Sequence, residues 1–296
     1  MTAYRDTLRF DSIVVIESLR PTDMKTGDWL YTSVIEPWAR SNAPFYTKLY
    51  LPTSRFEFLG VLDELRDQLF RNGHAPILHI EAHGDREGLE LGNHEHIPWE
   101  ALRQRVTEMN QLCQVNLLLV MAMCAGWHLS RLLIPTQRAP VWGIVGPTSD
   151  DVTAGDLRNA MEGFYYTLLQ TMNARRALDA MNGRVTYEQW TYRLETAEMM
   201  FCRAFHNYVS VNGTDDALKE RENEIVAEIL RHRHHDITVA FDARALAHQM
   251  LRDHSTAFAF FRRTFLFIDM FPDNEARFKL NYTDCTTLQS HEQKTT

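Results

Sequence analysis

The sequence predicts an α/β protein with a mostly parallel sheet flanked by helices and a helical C-terminal extension. Two near-continuous apolar runs, 77–82 (ILHIEA) and 115–123 (VNLLLVMAM), stand either side of a helix-forming stretch, 98–109. Strand, helix, strand with strands this apolar marks a parallel sheet buried on both faces. The runs end in His83-Gly84 and Cys124-Ala125-Gly126. Parallel neighbours carry their C-terminal ends to one edge, where open α/β sheets build their sites. An imidazole and a thiol are therefore expected at equivalent positions on that edge.

The elements follow in order. Residues 12–19 (SIVVIESL) read as a first buried strand, followed by a polar loop with Pro21, Thr22, Asp23 and Gly27. A second strand covers 46–51 (YTKLYL). An amphipathic helix then runs to Phe70, with Phe58, Leu62, Leu65 and Leu69 at helical spacing and Asn72-Gly73 as its stop. After the His83 strand, 88–97 reads as a hairpin turning at Gly92-Asn93. A short helix, 127–133, follows Cys124. Residues 140–145 (PVWGIV) form a further strand, 146–151 a loop, and 155–180 one long helix.

Beyond Asn182-Gly183 the pattern turns helical throughout, over 185–211, 215–235, 241–252 and 256–271, with no further strand expected. Residues 284–296 are polar and aperiodic, as a loose tail is. The expected domains are 1–183, a helical region 184–283 and the tail 284–296.

The chain of 296 residues has 45% hydrophobic and 24% charged residues, the balance of an ordinary globular protein. A net charge of −8 excludes the broad basic footprint of a nucleic-acid binder. No apolar run approaches the roughly 20 residues that span a bilayer, and the first residues lack the apolar core of a signal peptide. Four cysteines, Cys113, Cys124, Cys202 and Cys285, make no disulfide framework in a chain this long. A reducing cytoplasm is the expected setting.

Cys124 and His83 carry the chemistry. A helix starting after Cys124 would point its positive end at the sulfur and favour the thiolate, the nucleophilic form. Gly84 frees a backbone N–H that, with the N–H of Cys124, suits a developing oxyanion. A base and a thiol on one edge is what a cysteine peptidase needs. The other histidines are not read as a metal site: His94 and His96 share a strand face, but no further ligands follow at a recognised spacing. The aromatic stretch Phe258, Phe260, Phe261, Phe265, Phe267 reads as a core helix, with a second apolar side open to a partner.

Ala82-His83-Gly84 and Met123-Cys124-Ala125-Gly126 resemble the His-Gly and Cys-x-Gly signatures of the caspase-like cysteine peptidases. The intervening GLELGNHEHIPWEAL is similar to the hairpin and helix of the CHAT-type bacterial branch. The similarity covers about residues 11–180, and specificity comes from the combination of short motifs. It implies a caspase-like fold, hydrolysis of a protein substrate by a Cys124/His83 dyad and no cofactor. It also implies processing of a partner, including effectors of antiviral defence.

Two departures follow. Relatives that cleave after Arg or Lys carry an Asp two residues before the Cys, and here that place is Ala122. The expectation is therefore an apolar pocket, unless Asp150, Asp151 or Asp156 supplies the carboxylate. Ala122, Met123 and Ala125 also replace the polar residues usual around the Cys. Two rival readings remain: a non-catalytic α/β module whose helical region, 184–283, binds a regulatory partner, and a cysteine amidase on a similar sheet.

Overall fold

A computed structural model describes residues 8–149, 152–184, 192–212 and 253–287, with positions 219, 223 and 245. The protein is α/β. A six-stranded sheet has the order β2-β1-β3-β7-β8-β9, from β1 (Ser12–Glu17), β2 (Tyr46–Tyr50), β3 (Pro76–Glu81), β7 (Leu118–Ala122), β8 (Gly143–Pro147) and β9 (Tyr192–Thr196). The first five run parallel, and β9 pairs antiparallel with β8. Strands β1, β3, β7 and β8 are buried at every residue, as their continuous apolar sequences require of a sheet covered on both faces.

The chain leaves β1 towards β2, then returns past β1 to β3 and onward to β7. Right-handed crossovers in opposite directions put their helices on opposite faces. Helix α3 (Arg55–Asn72) and α4 (Trp99–Leu112) pack on each other; α1 (Thr26–Leu30) packs on α5 (Ala154–Thr171). The strand order reverses between β1 and β3, which makes their C-terminal ends the crevice of the sheet.

Local chemistry sets the helix ends. Ser54 accepts the Glu57 N–H at the start of α3, and Gly73, at φ 67°, ends it in the left-handed region. The expected helix 155–180 is two. Met172 stops α5 at φ 51°, and Asn173 accepts the Arg176 N–H to open α6 (Ala174–Asn182). After β3 the chain forms a small antiparallel sheet from β4 (His83–Gly84), β5 (Gly88–Glu90) and β6 (His96–Pro98). The hairpin is where the sequence puts it.

The chain divides into two compact units, one from Met1–Leu132 and Ala139–Ala197, the other from Leu133–Arg138 and Glu198–Thr296. The sheet unit runs past the boundary expected at 183, because residues 192–196 form β9 where helix was expected. Of the expected helices 215–235 and 241–252 only positions 219, 223 and 245 are described, each helical; the rest lies outside the described residues.

The second unit is helical: α7 (Ala197–Asn212), α8 (His254–Phe265), α9 (Asn274–Arg277) and α10 (Tyr282–Thr287). Phe201, Phe205, Phe258 and Phe265 pack edge-on and tilted at ring separations of 5.3–5.4 Å, the geometry aromatic pairs favour. The helix expected over 256–271 thus spans 254–265 with Phe258, Phe261 and Phe265 buried, whereas Phe260 is exposed and Phe267 follows the helix in the left-handed region. Cys202 of α7 is bonded to Cys285 of α10. That corrects two expectations: not all four cysteines are free, and the tail expected from residue 284 begins inside a helix with a buried Cys285. No helix among the described residues is long and apolar enough to cross a membrane.

Candidate active site

A cavity of about 220 Å³ opens at the C-terminal ends of β1, β3 and β7, in the crevice where the strand order reverses. His83 and Cys124 both line it. The register explains why: Glu81 pairs with Ala122, so His83 and Cys124, each two residues further on, emerge together from adjacent strands. Leu19, Asp23 and Met24 close one side from the loop after β1, and Val152, Ala154 and Leu157 close another.

Cys124 is the one cysteine that is neither bonded nor buried. Cys113 is buried, its thiol donating to the Met109 carbonyl oxygen at 3.1 Å, which marks it as structural. The turn after Cys124 is made by Ala125 at φ 54°, a conformation that disfavours residues with a Cβ. Gly126 starts a seven-residue 3₁₀ helix, Gly126–Leu132. The short helix expected over 127–133 is present, as 3₁₀ rather than α-helix.

Gly84 also lines the cavity. A Cβ built there would sit 2.2 Å from the Cys124 carbonyl oxygen, so only glycine lets the two backbones approach this closely. The two residues expected to present N–H groups to an oxyanion are thus brought side by side.

His83 has a partner that the sequence did not disclose. Its Nε2 lies 2.8 Å from Asp23 Oδ2, while Nδ1 makes no hydrogen bond to a described residue. Burial pushes the Asp23 carboxyl up. The hydrogen bonds from His83 and the Arg20 backbone N–H outweigh it and leave Asp23 below the ordinary carboxylate range. The loop holding Asp23 is tied on several sides. The Arg20 N–H donates to Asp23 Oδ2 at 2.8 Å, the Arg20 guanidinium bonds Glu90, and Lys25 donates to the Leu19 and Arg20 carbonyl oxygens at 2.7 Å. An ionised carboxylate fixed against one ring nitrogen sets the orientation of the imidazole.

Of the acidic residues expected to modify the pocket, Asp156 is spent elsewhere. Thr153 caps α5 by accepting the Asp156 N–H and donating to its carboxylate at 2.6 Å, and Asp156 does not line the cavity. Asp150 and Asp151 lie outside the described residues. The histidines of the hairpin face carboxylates: His94 Nδ1 lies 2.9 Å from Glu90 and His96 Nε2 3.5 Å from Asp85.

Two further residues stand near the site. Tyr192 of β9 is buried, and its hydroxyl has no hydrogen-bond partner among the described residues. Burial, the Asp156 carboxylate and the Cys124 sulfur hold its pKa well above that of a free tyrosine. Its backbone is clamped by Asn182, which accepts its N–H at 2.7 Å and donates to its carbonyl oxygen at 3.0 Å. Glu81 of β3 lines the cavity although only 3% exposed. A glutamate inside an apolar strand run was the available signal for it, since a fully buried carboxyl needs a reason. For Asp23 the signal is topological: it sits in the loop after the strand beside the reversal point.

No protein-family model matches the chain, and a search of curated proteins finds no match.

Proposed function

We propose that the protein is a cysteine endopeptidase in which Cys124 is the nucleophile and His83 the general acid and base. The observation that supports this most directly is the single cavity lined by both, with His83 held through Nε2 by Asp23 at 2.8 Å. That bond leaves Nδ1 for proton transfer. In the first step His83 takes the Cys124 thiol proton as the sulfur attacks the scissile carbonyl carbon, and the carbonyl oxygen takes the negative charge. The N–H groups of Gly84 and Cys124 serve as its donors. As the C–N bond breaks, His83 gives its proton to the leaving amine nitrogen, and a thioester on Cys124 remains. Water then attacks the thioester while His83 takes the water's proton. The acid product departs and the thiol is restored.

Asp23 is a positioning residue in this reading. It holds the imidazole orientation and stabilises the imidazolium formed in each half-reaction, as an orienting carboxylate does for other nucleophile–base pairs. The resemblance to CHAT-type peptidases extends the proposal to limited processing of a partner protein in antiviral defence. A cytoplasmic setting belongs to the same proposal, and there the Cys202–Cys285 pair would be held reduced. A peptide-library cleavage screen with the full chain tests the reading. Cleavage by the wild type that disappears in Cys124→Ala supports it; cleavage that persists in Cys124→Ala refutes it.

A further inference from the structure

The base of the cavity holds a carboxyl group that the mechanism above does not use. Glu17, Glu81 and Ala122 stand in register on β1, β3 and β7, so their side chains share one face of the sheet at its C-terminal edge. Glu17 is committed: its Oε2 accepts the Gly27 and Asp28 N–H groups at 2.9 and 3.0 Å and caps the start of α1. Glu81 is only half committed. Its Oε1 accepts the Thr26 hydroxyl, whereas Oε2 accepts no hydrogen bond from a described residue. His79 Nε2 lies 3.6 Å from Oε2 and is itself without a hydrogen-bond partner among the described residues. The other walls are apolar, from Leu19, Met24, Ala122, Met123, Val152 and Leu157. A buried carboxyl with one open oxygen at the base of an apolar cavity is complementary to an aliphatic stem that ends in a cation.

We propose that Glu81 is the counter-ion for a basic P1 side chain, P1 being the residue whose carbonyl is attacked, so that the cavity selects lysine or arginine. This rests on the peptidase reading above. It replaces the apolar pocket expected from Ala122: the methyl group there leaves room, and the carboxylate comes from the neighbouring strand instead. Glu81 is protonated near neutrality, because burial pushes it up to about 8 against the opposing field of Lys25. The other ionisable groups around it are Glu17 on β1, His79 on its own strand, with Tyr165 of α5 behind it, and Asp23 and His83 across the cavity. A cationic side chain binds the ionised form, so docking of a basic P1 residue expels the Glu81 proton. Preference for a basic over a neutral P1 residue therefore rises with pH as Glu81 ionises.

Acyloxymethyl ketone peptides that differ only in P1, lysine or norleucine, test this on the full chain, with Cys124 labelling followed by intact mass. The lysine probe should label wild type about 30-fold faster than the norleucine probe, and in Glu81→Gln the two probes should label at equal rates. The amide of Gln still accepts the Thr26 hydroxyl. In wild type alone, the lysine-to-norleucine ratio should rise about ten-fold between about pH 6 and about pH 8. A norleucine rate equal to or above the lysine rate overturns the proposal, and so does a lysine preference that survives in Glu81→Gln or a ratio flat with pH. All three leave the dyad standing. If instead iodoacetamide modifies Cys124 but neither peptide probe does, the peptidase reading itself falls and takes this one with it.

Discussion

At the residue scale, the site divides into positions that announce themselves and positions that do not. His83 and Cys124 were legible because each ends an apolar run, and strand ends on one edge are neighbours whatever the loops do. Asp23 was not. It lies 60 residues from His83 in a loop of ordinary polar composition, and only the strand order brings it to the imidazole. If it positions His83, Asp23→Asn should lower kcat about 10²–10⁴-fold, because the neutral amide neither orients the correct tautomer nor stabilises the imidazolium. KM should change little, and the fall should be accompanied by a shifted pH–rate profile. A KM effect alone would assign Asp23 to substrate binding instead. Tyr192 gives a second residue-scale test. Its buried hydroxyl has no partner among the described residues, so Tyr192→Phe removes a desolvation cost and should raise stability by about 1 kcal/mol in urea unfolding. A loss of that size would reveal a bond the hydroxyl makes.

At the element scale, the sheet and its register were readable from near-continuous apolar strands, and α3, α4 and the hairpin from their spacing and caps. Three features were not, each for a physical reason. The break between α5 and α6 comes from Met172 in the left-handed region, a residue that carries no turn signal of its own. Strand β9, YRLET, is mostly polar because it forms the sheet edge, so its pairing with β8 shows in the fold and not in its composition. The Cys202–Cys285 bond joins positions 83 residues apart, which no spacing rule connects. The contact of β4 with the turn after β7 is the element-scale feature on which the site depends most. Gly84→Ala would place a methyl carbon where only 2.2 Å separates it from the Cys124 carbonyl oxygen. Since that neighbour is backbone, one strand end must move. The variant should lose most activity and about 1–3 kcal/mol of stability. An active and fully stable Gly84→Ala protein would show that the close approach is dispensable.

For the whole molecule, the buried polar groups beneath the site set how stability varies with pH. His79 is fully buried; desolvation pushes it down to about 4, while desolvation pushes Glu81 up to about 8. The pair is therefore neutral near pH 7 and is not an ion pair, despite the 3.6 Å approach. In the unfolded chain the two titrate near 6.5 and 4.5. A depressed histidine stabilises above its unfolded pKa and loses that as pH falls from 6.5 towards 4. A raised carboxyl stabilises below its unfolded pKa and loses that as pH rises from 4.5 towards 8. Above 6.5 only the carboxyl still differs between the two states, so stability should fall from pH 6.5 to 8 with a slope on the order of 1 kcal/mol per pH unit. Glu198 of the second unit, raised to about 7 by burial, acts in the same direction over the lower part of that range. Urea midpoints across this window check it. Glu81→Gln should flatten the fall, and a rise in stability from pH 6.5 to 8 would contradict the assignment. The claim that organises the whole structure is that Cys124 and His83 work as one unit in one cavity. Proteolysis by Cys124→Ala, His83→Ala and the double variant tests it most directly. Each single change should lower the rate by several orders of magnitude, with the double variant no slower than the worse single, since a nucleophile and its base are not additive. Losses that multiply in the double variant, or full activity in Cys124→Ala, would contradict the account.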